Sequence, residues 1–263
     1  MTTISLPVPA AHQEHPLRLA LRLTAVEIRL LLREPMVAIG LLGFPLVTML
    51  VIAGVFGQTP DPDFGGVAPD DHYIAGYIGV VLGALGIVTL PVFVATAREL
   101  GVTRRFRASG VSAGVLVTTR VLLGLVLGTS AVAVVLVVGS TAYGMQSPDD
   151  LAGVVGWYLT GLLCFIAIGL ALGSLAPTSR SANALGNLLF VPMFLLGGGG
   201  PPREVMSETM RTIADVIPLT HVVGGLRHAW LGQTDDPHTL WWPLLLAAIA
   251  VTVAVVNARR RIG

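Results

Sequence analysis

The chain has 263 residues, 54% hydrophobic and 12% charged, with a mean hydropathy of +0.79, and this excludes a soluble globular domain. All sixteen basic side chains are arginine, so the P-loop motif G-x-x-x-x-G-K-[ST] cannot be built, and the single cysteine, Cys164, excludes an internal disulfide framework and a cysteine-rich metal site. The formal net charge of +1 says little, because the charges are sorted by side, and no nucleic-acid partner is expected.

Residues 1–15 carry prolines and no periodicity and are expected to be disordered. Residues 16–34 are different. Arg18, Arg22, Arg29 and Arg33 are spaced 4, 7 and 4, which at helical pitch confines them to an arc of about 60°. Leu19, Leu23, Val26, Leu30 and Leu31 fall on the other side. The segment reads as a basic amphipathic helix lying in a headgroup layer, started at Pro16 and broken by Pro35. Glu27 falls in its apolar arc, where a carboxylate is costly unless paired. It is expected to face protein, meeting an arginine of the inner loop or a partner subunit.

Six apolar stretches follow, at 36–56, 73–97, 115–140, 151–175, 183–196 with a glycine extension to 200, and 239–257. A bilayer core of about 30 Å needs about 20 apolar helical residues, and all but the fifth have that length. The run at 36 follows a charged segment and precedes no small-residue cleavage site, so no cleavable signal is expected. With the N-terminus inside, thirteen arginines lie inside and only Arg203, Arg211 and Arg227 lie outside. That bias places both termini in the cytoplasm. Pro45 and Pro91 are expected kinks of spans one and two, and residues 57–72 form a short outer loop.

The inner loop after span two reads Arg98-Glu99-Leu100-Gly101-Val102-Thr103-Arg104-Arg105-Phe106-Arg107-Ala108-Ser109-Gly110. Residues 100–108 suffice for two helical turns, Gly110 stops them, and Ser112 caps span three. A short basic helix presenting Phe106 suits a groove on a cytoplasmic partner. Arg120, just inside span three, is expected to snorkel to the inner surface. Glycine pairs at spacing four, Gly79/Gly83, Gly124/Gly128 and Gly169/Gly173, permit close helix packing. Asn183 and Asn187 share a face of span five and need partners or water. Outside, 201–214 reads as polar and helical. Residues 218–231 are apolar but too short to span, which suits a re-entrant or interfacial helix. His221 and His228 lack the close spacing of a metal site.

Three stretches carry a resemblance. The loop beginning Arg98-Glu99-Leu100-Gly101 resembles the coupling helix of type-2 ABC exporter permeases. Asn183 to Leu195, with Pro192, resembles their fifth span. Pro218-Leu-Thr-His-Val-Val-Gly-Gly-Leu-Arg227-His-Ala-Trp-Leu-Gly232 resembles their outer re-entrant helix. The resemblance covers nearly the whole chain past residue 16. The Gly197–Gly200 run departs from it, where the family often places bulkier residues.

The resemblance implies an all-α membrane protein with six spans, an elbow helix at 16–34, a coupling helix and a re-entrant helix, forming one transmembrane domain over 16–263. It implies a subunit without its own ATPase site, paired with a second permease copy. ATP and Mg would sit on a separate ABC ATP-binding subunit. Glu99, Leu100, Arg105 and Phe106 would meet that subunit, and Arg22, Glu27 and Arg29 would belong to the elbow. Asn183 and Asn187 would line the passage. The cargo expected in a bacterial cytoplasmic membrane is a hydrophobic compound of the kind moved by daunorubicin-type drug exporters, with polysaccharide or lipid-linked polymer export as the near alternative.

Two other classes fit less well. An intramembrane enzyme or an ion-coupled carrier needs ionisable groups near the midplane. The apolar cores of the spans contain no Asp or Glu. A purely structural membrane subunit is the remaining alternative.

Overall fold

A computed structural model of the chain describes residues 15–33, 43, 46–52, 54, 55, 59, 68–233 and 240–260. The expected disorder of the N-terminus, most of span one with Pro35 and Pro45, most of the first outer loop and Thr239 lie outside the described residues. No strand occurs among the described residues.

The chain enters helix α1 (Pro16–Leu32) with Pro16 in its first turn, where the missing N–H costs nothing. Residues 46–52 form a helical piece of the first apolar stretch, which the Tyr143 hydroxyl holds by donating to the Leu50 carbonyl at 2.6 Å. Helix α2 (Pro69–Ala84) then passes through a π-helical turn, Leu85–Thr89, into α3 (Leu90–Glu99). Together they make one helix over Asp71–Glu99, long and apolar enough to cross a membrane. Pro91 stands two residues after the end of the π turn, so the expected irregularity takes the form of a wide turn preceding the proline.

A short helix α4 (Val102–Ala108) precedes α5 (Ala113–Tyr143), which the Ser112 hydroxyl caps by accepting from the Val115 amide at 3.4 Å. Helix α6 (Leu151–Leu175) is capped by Asp150. Both α5 and α6 have spanning length and apolarity. Helix α7 (Ser179–Leu196) starts four residues before the expected fifth span, because Thr178 and Ser181 close a reciprocal cap there. It also ends at Leu196, and the expected extension to residue 200 is not helical: Gly198 takes φ +107°.

The outer segment is less helical than expected. It contains a single 3₁₀ turn (Arg203–Val205), α8 (Glu208–Ala214) and α9 (Pro218–Trp230). Helix α10 (Trp241–Arg260) is apolar over Trp241–Asn257.

Glycines set the packing of this bundle. A side chain at Gly124 or Gly128 of α5 would strike Ile166 or Leu162 of α6. Gly169 and Gly173 of α6 meet the backbone of the second span at Gly86 and Pro91, and Gly186 of α7 meets it at Ile87 and Val88. The π turn is therefore held between α6 and α7 at near backbone contact. Such approach is the known use of small residues in membrane helices, where dispersion rather than a hydrophobic difference drives association. Helix α9 packs on Gly79 and Gly83 through Val223 and Leu219. Its Leu219, Val222, Val223 and Leu226 are fully buried, so it belongs to the core.

Candidate functional site

Helices α1 and α4, the C-terminal ends of α3, α6 and α10, and the first turns of α5 and α7 gather at one end of the bundle. Helix α1 lies on α5 through Ala20 and Thr24, both buried, and the Thr24 hydroxyl donates to the Ala20 carbonyl at 2.8 Å. One turn further on, Glu27 accepts from Arg120 of α5 at 2.6 Å, with side chains only 24% and 17% exposed. Glu27 thus faces protein, but its partner comes from the third span rather than the inner loop. Arg120 is correspondingly turned into that pair instead of snorkelling out. Burial raises the Glu27 pKa above its ordinary 4.5, and the Arg120 charge counteracts this. Arg22 and Arg29 lie on the exposed face of α1.

Helix α4 presents Arg104 and Arg105 to the outside, and Leu100 before it is 65% exposed. Phe106 does not protrude freely; it is half-buried and forms part of a cavity wall. That cavity has a volume of about 620 Å³ and lies among α1, α3, α4, α5, α6 and α10. Aliphatic side chains such as Val117, Ile166, Leu170 and Val251 line it, and the Glu27–Arg120 pair is its main polar feature.

The residues preceding α4 are tied inward. Arg98 donates to the carbonyls of Gly173 at 3.2 Å, Ser174 at 3.0 Å and Ala176. Glu99 accepts from the Ser179 amide at 2.9 Å. Asn257 of α10 adds a bond to the Ser174 carbonyl at 2.7 Å. Sequence reasoning placed Glu99 at this end but missed Arg98, Ser179 and Asn257. A signal existed, because an arginine beside a glutamate at a helix end is suited to a helix C-terminus and a helix N-terminus respectively.

Asn183 and Asn187 are exposed on α7 and bond to each other, with the Asn187 amide donating to the Asn183 side-chain oxygen at 2.9 Å. Leu188 beside them is 71% exposed. At the opposite end of the bundle, a smaller cavity of about 240 Å³ lies between the Gly197–Gly198 turn and α9. There Arg203 pairs with Asp215 at 2.6 Å, and Arg227 donates to the His72 carbonyl at 3.2 Å. Among the described residues no three His, Cys, Asp or Glu side chains converge as a metal site would need.

The ABC-2 type transporter family model matches residues 19–231. The chain belongs to the ABC-2 type transporter family. This ABC-2 chain is 30% identical over 107 residues to the inner membrane transport permease YhhJ of Escherichia coli, which is 39% of this chain and 28% of that one. It is also 30% identical over 106 residues to nodulation protein J of Neorhizobium galegae, 40% of each chain. The matched region thus spans well under two thirds of either relative's length. Helices α5 and α6, long and apolar enough to cross a membrane, agree with membership of this family.

Proposed function

We propose that this ABC-2 chain is the transmembrane permease subunit of an ATP-driven exporter that moves a hydrophobic compound out across a bacterial cytoplasmic membrane. The observation that carries the reading is the presence, in a chain of this family, of a short basic helix, α4, at the base of the second span with Arg104 and Arg105 exposed. A lysine-free chain has no P-loop of its own, so ATP and Mg belong to a separate ABC ATP-binding subunit. That subunit meets Leu100, Arg105 and Phe106, with Glu99 at the root of the contact. The elbow residues Arg22, Glu27 and Arg29 hold α1 in the headgroup layer beside it. Six spans, with both termini inside, follow from the arginine distribution and the apolar stretches.

A second permease copy completes the passage against the open face of α7, which includes Asn183, Asn187 and Leu188. Hydrophobic cargo is supported by the aliphatic cavity beside α4, whose volume falls in the range of drug-sized sites, about 300–1,000 Å³. The test is dye accumulation in cells producing the complete transporter. Cells are expected to hold less ethidium and less rhodamine than cells whose partner ATPase has lost its P-loop lysine. Unchanged accumulation of both dyes, with ATPase stimulation by a lipid-linked polysaccharide instead, would overturn the drug-export reading in favour of polymer export.

A further inference from the structure

We infer that Arg98 and Glu99 are positioning residues that fasten the foot of the second span to both sides of the turn between α6 and α7, so that displacement of α4 is delivered to α7. This inference rests on the ATP-driven reading above, and it assigns Glu99 a role inside the permease rather than on the ATPase surface.

The geometry is two-sided. The last carbonyls of α6 have no helical donors left and sit at the negative end of its dipole. The Arg98 guanidinium takes three carbonyls of this region, those of Gly173, Ser174 and Ala176. The first amides of α7 are likewise without helical acceptors, at the positive end of that helix. The Glu99 carboxylate takes the amide of Ser179. Adjacent residues of opposite charge thus hold the two helix ends that residues 176–178 join.

The connection from this clamp to α4 has little slack. Only Leu100 and Gly101 intervene, and both are bonded back to α3, Leu100 to the Thr96 carbonyl at 2.9 Å and Gly101 to the Arg98 carbonyl at 3.0 Å. The Gly101 carbonyl in turn accepts from Arg105 at 3.0 Å, and Gly101 takes φ +69°. Above the clamp, the π turn of the same span touches α7 again at Gly186. The second span therefore grips α7 at its foot and near its middle.

Both donors of the Glu99 contact, the Ser179 amide and the Ser179 side chain, can be deleted by one substitution. Ser179 is the first residue of α7, where proline is tolerated, and Thr178 before it is extended at φ −132° and ψ 163°, the conformation a following proline requires. Ser179→Pro should therefore remove the N–H and the hydroxyl together and leave the helix. The experiment is hydrogen exchange by mass spectrometry on the permease with its co-purified ATPase in lipid nanodiscs, with and without ATP and orthovanadate. In the wild type, exchange is expected to change both at 102–108 and at 176–183. In Glu99→Ala and in Ser179→Pro, the change at 102–108 is kept and that at 176–183 is lost. The double variant of Glu99→Ala with Ser179→Pro is no worse than either single, because both remove the same contact, and Glu99→Asp keeps part of the response. A response at 176–183 that persists in both single variants, or losses that add in the double, would overturn the clamp. A wild type with no response at 102–108 would overturn the ATP-driven reading, and the clamp with it.

Discussion

Glu27 and Arg120 meet in an environment where neither charge is well solvated. Removing the carboxylate by Glu27→Ala leaves the guanidinium against aliphatic walls, a loss of about 1–3 kcal/mol. Glu27→Gln keeps a hydrogen-bond acceptor and is expected to cost less. Thermal unfolding of the purified chain in detergent should place wild type and Glu27→Gln both above Glu27→Ala. The pH dependence has a definite sign. A carboxyl whose pKa is raised in the fold contributes its full stability below the ordinary value of 4.5 and loses it as pH rises through the higher folded value. Wild type should accordingly lose stability relative to Glu27→Gln as the pH is raised from 4.5 to neutrality. An opposite trend would mean that attraction to Arg120 outweighs desolvation. Gly186 poses a comparable contest. A methyl there would press on the Ile87 carbonyl and the Val88 backbone, and overpacking costs about 1–3 kcal/mol. Alanine's helix propensity returns only about 1 kcal/mol. Gly186→Ala should lower the unfolding midpoint, whereas Gly156→Ala in α6, with nothing near its added methyl, should hold or raise it.

Among the elements, α4 is the one whose exposed side chains have least to do with stability. Arg104 and Arg105 are exposed, so Arg104→Ala and Arg105→Ala should leave stability within about 0.5 kcal/mol of wild type. Recovery of the ATPase subunit with the tagged permease should nevertheless fall with Arg105→Ala. Undiminished recovery would move the contact elsewhere. Much of this element was legible in the sequence. The arginine run, the Gly110 stop at φ +83° and the Ser112 cap bounded α4 closely, because local sterics and hydrogen bonds decide helix ends. The four-residue glycine spacings likewise marked the faces of α2, α5 and α6 that pack. The π turn was not legible. Nothing in Leu85–Thr89 distinguishes it from ordinary helix, and it arises where the second span must fit the backbones of α6 and α7 at once. The partner of Glu27 was legible only as a need: an apolar-arc carboxylate demands a cation, but which arginine supplies it depends on how α1 lies on α5. Phe106 was read as protruding for the same reason, since the cavity that half-covers it is built by helices distant in sequence.

At the scale of the whole molecule, the distribution of arginine and the helix directions agree on two chemically different ends. One holds α1, α4 and the clamp; the other holds α8, α9 and the Arg203–Asp215 pair. Cys164 is buried, so cysteines introduced elsewhere can be labelled with little background. In cells, Ser109→Cys should react with a membrane-impermeant maleimide only after permeabilisation, and Met210→Cys should react without it. The reverse pattern would invert the topology. The central claim is that this ABC-2 permease is worked by a separate ATPase subunit docked at the α4 end. The most direct measurement is ATP hydrolysis by the complex recovered on the tagged chain from its native membranes and placed in lipid nanodiscs. The account predicts a stoichiometric P-loop partner and vanadate-sensitive hydrolysis, both reduced by Arg105→Ala and Phe106→Ala. Recovery of the permease alone, with no hydrolysis, would contradict it.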